Sequence, residues 1–448
     1  MADSFYVGGI QVNEPDQQTW VRGLKQADMN TVAVTVYAMQ GDWDSDNLWF
    51  DAQNEGVVAE IRAAKEAGLK VSLILRVALD HAFERNAFLW HGLIMPNTDA
   101  DLESWFTKYS EFVTKWAAIA EAEGVDMLGV GSELNLLTST QPLDALPGLE
   151  RYYLDDEDQA ARIQELLQNA DQVPPEQLWT WGDRRFDTLD AYLQSELTAW
   201  QAWAEQVSWQ ATPDPVASIN TRRLRLEHHW RRLIRQTREL YSGRLTYAAN
   251  FDQYQQVAFW DALDYMGINA YFSLRDREPQ ATKAQTVAQE GEALAPASLS
   301  AKLEAGWRAA LGDIQAFREA EVITDKPVVF TELGYTRWLN STVEPWSYSG
   351  FSLFEADTTD DTTDGTTDDT AEVVVWQEQP LNIQERVAAI QALNTVLQNE
   401  YPGLLQGILY WKLSTLPEHT EIEPFVLVLN QADPLQDALA ELRELLPR

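Results

Sequence analysis

"DKPVVFTELGY", residues 325–335, sets a carboxylate directly after a run of apolar β-formers. Val328, Val329 and Phe330 read as a strand buried on both faces, the pattern of a parallel sheet covered by helices. Such a strand has no structural need of Glu332 at its C-terminal end. The carboxylate becomes intelligible if the chain repeats this unit and brings a second carboxylate to face it.

The unit does repeat. Seven further β-rich runs read as "SFYVGGIQV" (4–12), "NTVAVTVYAMQ" (30–40), "KVSLILRVALD" (70–80), "VDMLGVGSEL" (125–134), "RLTYAAN" (244–250), "ALDYMGINAYF" (262–272) and "GILYWKLS" (407–414). Helical periodicity fills most of the intervals, around 15–28, 54–67, 100–123, 299–319, 382–399 and 434–446. A basic amphipathic stretch, "HHWRRLIRQTRELYSG", precedes the fifth run. Eight continuous apolar strands mostly followed by helices predict an α/β fold of the closed (β/α)8 TIM-barrel type. An open doubly wound sheet would carry a Gly-rich phosphate turn after its first strand, and "VGGIQVNE" has no G-x-G-x-x-G.

On this reading residues 1–448 form a single catalytic domain whose rhythm is broken twice. Residues 138–227 make a large insertion between strand four and its helix. The pattern in "TLDAYLQSELTAWQAWAEQVSW" predicts that it is a small helical subdomain. Residues 356–372, "ADTTDDTTDGTTDDTAE", are a low-complexity acidic loop after strand seven with no EF-hand spacing.

Composition narrows the chemistry. Lys and Arg number 33 against 70 Asp and Glu, a net charge of −37 whose field repels nucleic acid and anionic lipid. There is no cysteine, so thiolate metal sites and Cys nucleophiles are excluded. The five histidines show no metal-ligand spacing, and neither a metal nor an organic cofactor is expected. No apolar run approaches the length of a membrane span. The start, "MADSFYVGGIQ", lacks the basic and apolar regions of a signal peptide, so the protein is cytoplasmic unless an export signal has been removed. Oligomeric state is left open.

In a parallel barrel the strand C-termini carry chemistry and the opposite rim carries stability. Glu332 ends strand seven, and Glu133, in "GVGSEL", ends strand four across the mouth from it. Two carboxylates facing each other over a sugar-sized cleft are the machinery of glycoside hydrolysis. A separation of about 5–5.5 Å implies retention of anomeric configuration and about 6.5–9.5 Å inversion. The bland alternative pairs each glutamate with an arginine such as Arg76.

Neighbouring residues fit carbohydrate. Tyr271 ends strand six, where its hydroxyl can bond Glu332. Trp411 ends strand eight as a platform for a pyranose face. Asn250 and Asn269 are candidates for sugar hydroxyls, Arg76 for a substrate contact, and Trp43, Trp90 and Trp346 for further platforms in rim loops.

The ordered set "GVGSEL", "LTYAANFDQY", "DYMGINAYF", "KPVVFTELGY", "EPWSYSG" and "GILYWK" resembles glycoside hydrolase family 113, a clan-A group that includes endo-β-mannanases. The similarity covers most of 5–137 and 228–445. It implies a retaining double displacement on β-mannan or manno-oligosaccharide, with Glu133 as acid/base and Glu332 as nucleophile. Burial and a neighbouring charge should raise the pKa of Glu133, and hydrogen bonds should keep Glu332 ionised. The chain departs from the family pattern at Ser132, where Thr is usual, at Arg76, where a Lys-Pro-His-like stretch is expected, and in the 138–227 insertion. Two alternatives stay open: a β-glycosidase of other sugar specificity, and a non-catalytic carbohydrate-binding or cell-envelope protein on the same scaffold.

Overall fold

The computed structural model describes residues 5–12, 14–50, 54–142, 180–181, 184–185, 189–206, 212–276, 296–346, 351–355, 372–376 and 381–445. Eight strands, β1 (Tyr6–Gln11), β2 (Thr31–Gln40), β3 (Lys70–Leu79), β4 (Met127–Ser132), β5 (Arg244–Asn250), β6 (Met266–Asn269), β7 (Val328–Leu333) and β8 (Leu405–Ser414), lie in sequence order. Each pairs in parallel with the next, and β8 pairs with β1, which also pairs with β2, so the sheet closes on itself. The expected TIM barrel is the fold.

Closure explains the unbroken apolar runs. Tyr6, Ile10, Ala33, Met127, Tyr265, Val329 and Leu409 fill the barrel interior as one buried cluster. Their strand neighbours Val7, Val32, Val34, Leu128, Val328 and Ile408 pack outward against the helices. Both faces are dry, so both must be apolar.

The helices follow in order: α1 (Gln17–Gln26), α2 (Asn54–Glu66), α3 (Asp99–Glu123), α4 (Pro215–Leu240), α5 (Pro296–Ala320), α6 (Ile383–Asn399) and α7 (Pro434–Glu441). One interval departs from the repeat. Residues 251–265, between β5 and β6, hold only two 3₁₀ turns, Tyr254–Gln256 and Trp260–Ala262. Aromatic side chains occupy that part of the wall instead: Phe259 stacks on Trp230 of α4 at 5.1 Å.

The insertion boundary also moves. Helix α4 begins at Pro215, with Asp214 accepting from the Ala217 amide at 3.0 Å, so residues 215–227 belong to the barrel wall. An Asp N-cap followed by Pro at the first helical position is the local cause. Within the insertion a helix spans Leu189–Glu205, and the short strands Thr180–Trp181 and Arg184–Arg185 pair antiparallel. Trp203 of that helix is buried and donates from Nε1 to the Leu93 carbonyl at 3.3 Å, docking the helix on the loop after β3. The acidic tract lies outside the described residues up to 371. The strands Phe351–Glu355 and Glu372–Trp376 pair antiparallel on either side of it. Among the described residues no helix is long and apolar enough to cross a membrane.

Candidate active site

Glu133 directly follows β4, and Glu332 sits near the end of β7. In both strands the pairing register shifts just before the carboxylate, between Gly129 and Ser132 against β5 and between Phe330 and Glu332 against β6. Such irregularities bend a strand and re-aim a side chain, here at the barrel mouth. Glu133 has φ of 51°, a left-handed conformation costing on the order of 1–3 kcal/mol. The surroundings impose it: the Glu133 amide donates to the Ala248 carbonyl at 2.9 Å and the Leu134 amide to Tyr247 Oη at 2.8 Å. The glycine of "TELGY" is equally constrained. A Cβ on Gly334 would stand 2.3 Å from the Trp411 carbonyl oxygen, so only glycine lets β7 run this close to β8.

One amide joins the two carboxylates. Asn269, fully buried at the end of β6, donates from Nδ2 to Glu133 Oε1 at 2.9 Å and to Glu332 Oε1 at 3.1 Å. Its own Oδ1 accepts from Thr331 Oγ1 at 2.8 Å, which fixes the amide's orientation. Two acceptors at those distances from one nitrogen lie at most about 6 Å from each other, and the Ser132 hydroxyl, 3.4 Å away, shares the same nitrogen. Asn269 was expected to meet sugar hydroxyls. Its polar atoms are engaged within the protein instead.

Glu332 is gripped from two further sides. Tyr271 Oη donates to Glu332 Oε2 at 2.7 Å, and the buried Arg76 guanidinium pairs with Oε1. The same guanidinium lies 5.1 Å from the Trp411 ring centroid, and Lys412 Nζ lies 4.1 Å from it. Arg76 and Trp411 therefore both border Glu332.

The remaining candidates separate. Asn250 stands opposite Asn269 in the β5–β6 register, and its Oδ1 accepts from the Phe251 amide at 3.1 Å. Trp346 is exposed and stacked on Phe251 at 5.2 Å. Trp90 is half-buried beside His91, 5.1 Å from its ring. Trp43 is different. It is 2% exposed and packed against Trp203, so it has no face to offer a sugar, contrary to expectation.

His91 escaped the sequence reading. Its Nε2 lies 3.0 Å from Glu133 Oε2. The signal available was position alone: "LWHGL" falls in the loop leaving β3 on the catalytic rim. The Glu133 pKa also runs against expectation. Burial pushes its carboxyl up, as anticipated. The His91 hydrogen bond and charge, the Arg76 charge and the Asn269 hydrogen bond together outweigh burial and hold it below the usual range. Close by, burial and the Glu133 charge push the Asp252 carboxyl up to about 6, and burial lowers Lys412 to about 8.

A closed parallel barrel with two carboxylates meeting over its C-terminal mouth defines the class, a clan-A-like (β/α)8 glycoside hydrolase. The family model of Glycoside Hydrolase Family 113 matches residues 9–141 and 217–362, more than half of the chain, and the protein belongs to that family. The gap in the match falls on the insertion. A GH113 β-mannanase from Alicyclobacillus acidocaldarius superposes with a TM-score of 0.56 at 16% identity, covering 98% of this chain and 97% of that one. A GH113 β-1,4-mannanase in a complex structure gives the same score and identity over 99% of each chain. At that identity the likeness is one of fold. Among curated proteins none matches.

Proposed function

We propose that the protein is a retaining glycoside hydrolase acting on β-linked mannan or manno-oligosaccharides, with Glu133 as acid/base and Glu332 as nucleophile. The observation that supports this most strongly is the Asn269 bridge. Bonds of 2.9 and 3.1 Å to one nitrogen keep the two carboxylate oxygens within about 6 Å of each other, short of the roughly 6.5–9.5 Å that leaves room for an intervening water.

The groups divide the work by what each can do. Arg76 and Tyr271 favour the charged form of Glu332 and aim it. Its free lone pair attacks the anomeric carbon while Glu133 protonates the departing glycosidic oxygen, leaving a glycosyl ester on Glu332. Glu133 then takes a proton from water, the hydroxide attacks the same carbon from the opposite side, and Glu332 is released. The two solved GH113 structures that share the fold are β-mannanases, which favours mannan as the substrate. The insertion helix is docked on the loop after β3, the loop that carries His91, through Trp203.

The test is Glu332→Gln assayed on β-mannan and β-glucan oligosaccharides. Loss of turnover with an intact fold supports the assignment. Unchanged turnover removes the nucleophile.

A further inference from the structure

We infer that His91 shares the acid/base proton with Glu133, acting as a positioning residue that sets the pH range over which the departing oxygen is protonated. The inference rests on the hydrolase reading above and deepens it. Glu133 has two partners of different kinds. Asn269 Nδ2, at 2.9 Å from Oε1, can only donate, which favours the carboxylate. His91 Nε2, at 3.0 Å from Oε2, can either donate or accept, so a proton can sit on either side of that contact.

The imidazole is held in place. Trp90 meets it edge-on at 5.1 Å, and Trp203 Nε1 bonds the Leu93 carbonyl at 3.3 Å, fixing the 3₁₀ turn His91–Leu93. A Cβ on Gly92 would lie 2.2 Å from the Trp90 ring, so the packing demands glycine between His91 and Leu93.

Other groups bear on the pair from several sides. Burial favours the neutral carboxyl; against it His91 itself pulls hardest toward ionisation, and Arg76 from β3 and Asn269 add to that pull. Asp252 after β5 and the Tyr247 phenol of β5 interact with its charge from a second side, and Glu332 of β7 stands across Asn269. The short helix Asn135–Thr138 behind it carries no titratable residue, and the insertion helix reaches the turn through Trp203. Because His91 is the main group drawing Glu133 toward ionisation, the proton the carboxyl gives up stays beside it at the 3.0 Å contact, and the pair rather than the carboxyl alone is the acid.

The proton then moves as follows. It passes from the pair through Glu133 Oε2 to the glycosidic oxygen as the C1–O bond breaks, that oxygen keeping the electron pair. Glu332 forms the new bond to C1, and the pair is left without its proton. In the second step Glu133 takes a proton from the attacking water, and the pair is restored.

Leaving-group dependence tests this. Protonation matters for a poor leaving group and hardly at all for an acidic one, whereas general disorder of the site slows both. His91→Gln keeps a donor toward Glu133 but cannot hold a mobile proton. Wild type and variant are compared on phenyl and 2,4-dinitrophenyl β-mannosides and β-glucosides across pH. The expected result is a fall in kcat/KM of about tenfold or more on the phenyl glycoside, less than about threefold on the dinitrophenyl one, and a basic limb moved to lower pH. Equal losses on both leaving groups, or no loss and an unmoved limb, overturn the inference while leaving the hydrolase reading intact. If wild type cleaves none of the four glycosides and no β-mannan or β-glucan oligosaccharide either, the hydrolase reading fails and the inference falls with it.

Discussion

Replacing Asn269 with Asp is nearly isosteric and reverses the sign of the group between the two carboxylates. The Asp oxygen in the position of Nδ2 would lie 2.9 Å from Glu133 Oε1 and 3.1 Å from Glu332 Oε1. At an effective dielectric of about 20, each contact between two unit charges costs about 5–6 kcal/mol. The pair of contacts together rivals the roughly 5–15 kcal/mol by which whole domains are stable. Three ionised carboxylates therefore cannot coexist there, and the site must take up a proton or open. Either response spoils the division of labour proposed for Glu133 and Glu332. Asn269→Asp should reduce kcat/KM at pH 7 by a factor of about a thousand or more, and its melting temperature relative to wild type should fall as pH rises. Asn269→Ala, which removes the donor without adding charge, should show the activity loss without the steep pH-dependent loss of stability. Steady-state kinetics on an aryl β-glycoside and thermal melts from pH 5 to 9 measure both. Near-wild-type activity of the Asp variant at pH 7 would refute the idea that one amide holds the two carboxylates together.

Two further outcomes follow from other contacts. Tyr271→Phe removes a 2.7 Å hydrogen bond to Glu332, a bond to a charged group worth about 1.5–3 kcal/mol, so kcat should fall about ten- to 150-fold with little change in KM; an unchanged kcat would show that the phenol does not serve the nucleophile. Burial raises the Glu60 carboxyl from 4.5 to about 7, against hydrogen bonds from Gln11 and Trp20. Because the fold favours the protonated form, the penalty is absent below about pH 4.5, grows up to about 7 and persists above it, reaching about 3 kcal/mol. Glu60→Gln should therefore match wild type in denaturant stability at pH 4 and exceed it at pH 8; equal stability at both would contradict the burial argument.

The barrel was legible because its cause is repetitive. Each strand is dry on both faces, and eight such runs in one chain admit few arrangements. The two glutamates were legible for a related reason: directly after β4 and near the end of β7 a carboxylate ends a run that otherwise excludes charge. What stayed hidden depends on loops and on the far partner of a side chain. Trp43 looks like any rim tryptophan until Trp203, from a distant helix, buries it. His91 lies in a turn with no periodicity, and only the fold brings it to Glu133. Asn269 carries its destiny in register: it pairs with Glu332 along β6–β7, so a side chain read as sugar-facing becomes the bridge. The early start of α4 belongs to the same class: the Asp214–Pro215 cap decided it.

The central claim is that Glu332 carries the sugar between two chemical steps. Incubation with a 2-deoxy-2-fluoro-β-mannosyl fluoride, followed by peptide mass spectrometry, examines it directly, because the fluorine slows release of the ester more than its formation. The account predicts one 2-fluoromannosyl group on the peptide containing Glu332, with activity lost in step with labelling. Labelling at another residue, or hydrolysis of the reagent with net inversion and no adduct, would contradict it.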